Sequence, residues 1–120
     1  FNGIGINLHN GYGLTETSPV TNVNTFEVFE FGSVGPALAD TQIKIADDGE
    51  ILIKGPQVMK GYLQDPEKTA AAVVELDGVR WYKTGDKGHL DADGFLTIPD
   101  APGLGIELDW DVLPKYSDLK

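Results

Sequence analysis

At 120 residues, of which 41% are hydrophobic, the chain has material for one domain with a modest core. Nine Lys and Arg stand against nineteen Asp and Glu, a formal charge of −10. With the basic residues scattered singly, that balance excludes a nucleic-acid backbone as partner. The lack of cysteine removes disulfides and thiolate metal sites and fits a reducing compartment. His9 and His89 stand far apart with no ligand spacing around either, so no zinc site is expected.

No apolar run approaches the roughly 18 residues of a membrane span. The opening FNGIGINLHN has no basic start and no small-residue cleavage site, so it is not read as a signal peptide. The absence of methionine at position 1 points to a cut or excised beginning. GINLH, residues 5–9, alternates loosely and predicts a short strand leading into NGYGLTE, residues 10–16.

NGYGLTE combines groups that can hold a ligand. Gly11 and Gly13 allow left-handed backbone angles and close approach. Tyr12 offers a flat aromatic face suited to a planar ring. Thr15 supplies a hydroxyl and a backbone N–H for a phosphate oxygen, and Glu16 a carboxylate of the kind Mg²⁺ takes beside phosphates. A plain surface turn, with a packed tyrosine and a helix cap at Thr15, is the other reading of these residues.

The following TSPVTNVNTFEVFEFGSVG is rich in Thr, Val and Phe, which favours extended structure. TQIKIA (41–46) and EILIK (50–54) alternate around Asp47-Asp48-Gly49 and predict a β-hairpin, with Ile43 and Ile45 on one face and Ile51 and Ile53 likewise. Asp65-Pro66-Glu67 predicts a short helix running to Ala72, from an N-cap residue, a proline at the first helical position and an acid in the first turn. VRWYKT (79–84) and FLTI (95–98) predict strands, with a turn at Asp91–Gly94 between them. The expected fold is therefore mainly β with one short helix, a small antiparallel barrel or sandwich. Beyond Ile98 the texture becomes acidic and proline-rich, which sets a boundary at Ile98/Pro99.

WYKTGDKG (81–88) adds a second constellation. An aspartate after Thr-Gly at a strand end can accept two hydrogen bonds from a vicinal diol such as a ribose, although Thr-Gly-Asp is also an ordinary β-turn.

Taken in order, NGYGLTETSP (10–19), GSVGPAL (32–38), GEILIKGPQVMKGYLQDPEKT (49–69) and WYKTGDKGHLDADGFLTI (81–98) resemble the acyl-activating, adenylate-forming (AMP-binding) enzyme superfamily. That group includes acyl-CoA and acyl-ACP synthetases, luciferases and peptide-synthetase adenylation domains. The wording GPQVMKGYL is most similar to bacterial acyl-ACP and acyl-CoA synthetases. The resemblance implies that Gly11, Tyr12 and Gly13 line an adenine, with Tyr12 stacked on it. It implies that Thr15 contacts the α-phosphate, Glu16 helps hold Mg²⁺, and Asp86 binds the ribose hydroxyls. The hairpin and its neighbours would then form that family's small distorted β-barrel.

As a whole, such an enzyme joins ATP and a carboxylic acid into an acyl-adenylate and passes the acyl group to a thiol, either CoA or an acyl carrier protein. The resemblance also implies a place in fatty-acid metabolism and a cytoplasmic location, with the surface of the inner membrane as an alternative for the parent enzyme. Two parts of the family pattern are not found in these 120 residues: the Ser/Thr/Gly-rich phosphate loop and the C-terminal domain with its catalytic lysine. Without them the adenylate-forming step lacks its electrostatic stabilisation, so the chain alone is expected to be inactive. An exposed apolar patch and self-association are expected of such a fragment.

PDAPGLGIELDWDVL (99–113) resembles instead the C-terminal tail of enolase-superfamily sugar-acid dehydratases, without that family's metal ligands or bases. Residues 99–120 are thus read as an acidic Pro/Gly tail of foreign or unspecialised origin, and residues 1–98 as the adenylate-loop and β-barrel portion. The rival readings are a non-catalytic chimeric β module and a piece of a sugar-acid dehydratase.

Overall fold

The computed structural model describes residues 2–99; the tail beyond Pro99, and with it the dehydratase-like stretch, lies outside the described residues. In chain order the strands are β1 (Gly11–Gly13), β2 (Val20–Val23), β3 (Gln42–Ile45) and β4 (Glu50–Lys54). Then come the helix α1 (Pro66–Ala71), β5 (Val73–Leu76), β6 (Val79–Lys87), β7 (His89–Leu90) and β8 (Leu96–Thr97). All strand pairs are antiparallel.

The hairpin β3–β4 forms where alternation predicts it. Ile43 faces Ile53 and Ile45 faces Ile51 across the ladder. The connecting turn closes through the Gly49 N–H to the Ala46 carbonyl (2.8 Å), and Gly49 takes φ +87°, which a side chain would disfavour. Ile51 and Ile53 are fully buried with Leu96, and Tyr12, Leu14, Val34 and Ile43 pack around them. The α1 helix starts as its sequence signals: Asp65 Oδ1 accepts the Lys68 N–H at 2.9 Å, and Pro66 occupies the first turn.

The main sheet runs β3-β4-β6-β5, and two smaller sheets pair β1 with β2 and β7 with β8. Residues 34–38 stitch these small sheets together. Val34 donates to the Leu96 carbonyl (2.8 Å), and Leu38 donates to the Thr21 carbonyl (2.8 Å). The expected distorted barrel is thus an open arrangement: β3 and β5 are edges, and among the described residues no strand pairs one with the other.

Two further expectations change. Residues 5–9 form no strand: Gly5 is a turn residue, the rest is irregular, and Ile6 and Leu8 stand half exposed. The stretch expected to run extended from Thr17 is a strand only over Val20–Val23, and residues 26–28 are bends. There the buried Asn24 accepts the Glu30 N–H (3.1 Å) and donates to the Ser33 carbonyl (3.0 Å), so a side chain takes over the pairing a second strand would have supplied. Among the described residues no helix is long and apolar enough to cross a membrane.

Candidate functional site

Two β-bulges build the site. On β2 the register slips opposite Tyr12 and Gly13, since Tyr12 pairs with Asn22 but Gly13 with Val20. The extra residue, buried Thr21, donates its hydroxyl to the Tyr12 carbonyl (3.2 Å) and fixes the tyrosine's backbone from below. On β6 the slip is larger, because two steps along β4 from Leu52 to Glu50 correspond to four along β6 from Lys83 to Lys87. The surplus pushes Thr84–Asp86 out of the ladder. Bulges of this kind re-aim side chains beside functional sites.

The β6 bulge is anchored at three points. The Thr84 hydroxyl donates to the Ile51 carbonyl (2.8 Å), the Gly85 N–H donates to Glu50 Oε1 (2.9 Å), and the Asp86 N–H donates to the Thr84 hydroxyl (3.1 Å). Gly85 lies at φ +80°, the left-handed angle that makes a glycine necessary there.

The two bulges meet. The Tyr12 hydroxyl donates to Asp86 Oδ2 at 2.7 Å across 74 positions of sequence. Burial first, and then this bond to the carboxylate, push the Tyr12 phenol well above its ordinary pKa, so it remains a protonated donor.

Glycines 11 and 13 act differently from expectation. Neither has a left-handed φ; both lie in β1. Gly13 is required for space instead, since a Cβ there would overlap the Pro19 carbonyl oxygen and lie 2.8 Å from Val20 Cα. Thr15 opens a 3₁₀ turn, Thr15–Thr17, but the expected cap belongs to Thr17. That buried hydroxyl accepts the Leu14 N–H (3.0 Å) and donates to the Leu14 carbonyl (2.9 Å). Thr15 itself is left on the surface.

Glu16 is half buried and accepts a hydrogen bond at Oε1 from the Tyr62 hydroxyl (2.8 Å). That hydroxyl, above all, holds the Glu16 carboxyl below the usual carboxylate range. Buried Tyr82 lies between the two halves of the site. Its phenol is pushed up by burial first, then by the Tyr62 hydroxyl and the charges of Glu16 and Asp86. A cleft of about 320 Å³ opens beside it, lined among others by Tyr62, Lys68, Thr84 and Gly85. Tyr62 and Tyr82 belong to motifs quoted above, but nothing local marks them as parts of this site, because their partners are distant in sequence. No group of three or more His, Asp or Glu able to hold a metal ion occurs among the described residues.

A tyrosine and an aspartate thus meet from paired bulges, with a carboxylate on the adjoining loop. The chain belongs to the AMP-binding enzyme family, whose pattern matches residues 1–63. It is 42% identical over 98 residues to a long-chain-fatty-acid–CoA ligase of Mycobacterium bovis, covering 82% of this chain and 16% of that protein. It is 46% identical over 95 residues to a 2-succinylbenzoate–CoA ligase of Listeria innocua, covering 78% of this chain and 20% of that one. A solved structure of O-succinylbenzoate coenzyme A synthetase from Bacillus subtilis in complex with AMP matches with a TM-score of 0.67 at 35% identity, over 81% of this chain and 22% of that one. These relatives are acyl-CoA-forming ligases, and the chain covers a fragment of such an enzyme, spanning 16% to 20% of the two curated relatives' length.

Proposed function

We propose that residues 1–98 hold the adenosine and α-phosphate end of ATP, and then of an acyl-adenylate, in a ligase that activates a carboxylic acid and passes it to a thiol. The observation that carries this reading is the 2.7 Å meeting of Tyr12 and Asp86 from two bulges. In this reading Gly11, Tyr12 and Gly13 border the adenine, and the Tyr12 ring supplies the stacking face. Asp86 keeps Oδ1 and the spare lone pairs of Oδ2 for the two ribose hydroxyls. Thr15, exposed at the start of its turn, offers its hydroxyl and N–H to the α-phosphate.

Glu16 fits Mg²⁺, an ion commonly held by one or two carboxylates together with phosphate oxygens and water rather than by an all-protein cage. When bound, that ion would neutralise phosphate charge while a substrate carboxylate attacks the α-phosphorus and pyrophosphate departs. The named relatives favour CoA as the thiol acceptor, with an acyl carrier protein as the alternative. A cytoplasmic setting, where ATP and CoA are supplied, suits this chemistry. Phe26 and Phe31, each more than three-quarters exposed, support self-association of the fragment.

The test is diol dependence. AMP and 2′,3′-dideoxy-AMP should bind the wild-type chain with affinities differing about tenfold, as expected for hydrogen bonds to a charged group. Asp86→Ala should bind the two alike. Equal binding of both nucleotides to the wild-type chain would contradict the assignment of Asp86.

A further inference from the structure

We infer that Tyr62 is the positioning residue of Glu16, its hydroxyl holding that carboxylate at the cleft and aimed toward the cation that accompanies the nucleotide phosphates. This rests on the assignment of Glu16 made above and extends it to a residue 46 positions away. The Tyr62 bond engages Oε1, and a carboxylate has about four lone-pair sites over its two oxygens, so acceptor capacity remains for an ion.

A tyrosine suits the task because its donor is neutral. A lysine or arginine would orient the carboxylate equally well but would cancel the charge that attracts a cation. Lys68 also helps to hold the Glu16 carboxyl low through its charge, but its Nζ sits 4.0 Å over the Tyr62 ring centroid, in contact with the ring face.

The mount is stiff. The Tyr62 N–H donates to the Thr69 hydroxyl on α1 (2.9 Å). The Met59 N–H donates to the Glu16 carbonyl (2.8 Å), tying the two loops at the backbone as well. The Arg80 guanidinium on β6 donates to the carbonyls of Met59 (3.2 Å) and Lys60 (3.1 Å), fixing the approach to Tyr62. A phenol held through α1, β6 and the Glu16 loop has little freedom, which is what orienting a flexible glutamate requires.

The experiment uses the 120-residue chain with AMP, and Mn²⁺ as a paramagnetic stand-in for Mg²⁺. In the wild type, Mn²⁺ should broaden the side-chain carbon resonances of Glu16. Tyr62→Phe keeps the ring and its cation contact but loses the hydroxyl. It should bind Mn²⁺ in the presence of AMP about tenfold more weakly, while binding AMP alone as before. That split distinguishes positioning from general loosening, which would weaken both.

Mn²⁺ affinity unchanged in Tyr62→Phe, or AMP affinity falling in parallel, would overturn the inference. AMP binding without Mn²⁺ broadening at Glu16 would overturn it together with the metal role of Glu16. No AMP binding at all would bring down the nucleotide reading first and this inference with it. Should the variant not fold, the wild-type contact between the Tyr62 ring protons and the Glu16 side-chain methylenes, read as a nuclear Overhauser effect, decides the geometry: its absence overturns the inference and its presence supports it.

Discussion

Gly13→Ala and Gly11→Ala differ by one methyl at two ends of the same three-residue strand, yet their effects should separate clearly. A Cβ at Gly13 would overlap the Pro19 carbonyl oxygen and lie 2.6 Å from the Pro19 carbonyl carbon. Both are backbone atoms of the residue that precedes β2, with no flexible side chain to swing aside, so the strands must part. Overpacking of that kind costs about 1–3 kcal/mol. Reduced freedom of the unfolded chain returns about 0.4–1 kcal/mol of it. The net loss at Gly13 is therefore centred on about 1.3 kcal/mol, within about 0–2.6 kcal/mol. At Gly11 the nearest obstacle is the Asn22 carbonyl oxygen at 3.1 Å, a contact that a few tenths of an ångström relieve. There the entropic gain offsets the crowding, and stability should stay within about 0.5 kcal/mol of wild type. Urea unfolding followed by circular dichroism measures both, and in thermal melts each kcal/mol corresponds to about 4–8 °C for a domain of this size. AMP affinity should fall in Gly13→Ala, because moving β1 moves Tyr12 away from Asp86. Equal stability of the two variants, or a greater loss in Gly11→Ala, would refute the steric argument.

Two other predictions concern charge and turnover. The Phe95 N–H, foremost, and then the Asp93 N–H, each bonded to Asp91 Oδ1, hold the Asp91 carboxyl below the usual range. Since the folded value lies below the unfolded one, the stability it contributes is complete above about pH 3.9 and declines as pH falls through the depressed value; Asp91→Asn should flatten that limb of a stability–pH profile, and an unchanged limb would contradict it. The 120-residue chain alone should show no carboxylate-dependent exchange of pyrophosphate into ATP beyond a Glu16→Gln control, since it spans 16% of a long-chain-fatty-acid–CoA ligase; exchange clearly above that control would refute this.

The hairpin and the helix were legible because their information is local. Alternating isoleucines announce a buried face, and Asp65-Pro66 announces a helix start, whatever surrounds them. Strand β5 was not legible: Val73–Leu76 follows a run of alanines with no breaker, and only its ladder against β6, with Val74 opposite Trp81, makes it a strand. GINLH failed in the opposite sense, a loose apolar alternation that is a turn residue followed by irregular chain in the fold. Tyr12 and Asp86 could be named from their motifs, but the two bulges that turn them toward each other are register slips between strands, invisible in either strand alone. Tyr62 shows the same limit. Its role depends on a glutamate 46 residues earlier, and no local pattern joins the two. Gly13 was singled out for left-handed freedom, whereas its structure shows crowding by Pro19, a tertiary fact that no local pattern announces.

The central claim, that the paired bulges form an adenosine site, is tested most directly by titrating AMP into isotopically labelled chain and following amide resonances. A saturable response should concentrate at Gly11–Gly13 and Thr84–Asp86, the two segments joined by the 2.7 Å bond, and be lost in Asp86→Ala. A response confined to the exposed aromatic stretch from Phe26 to Phe31, or none at millimolar AMP, would contradict it.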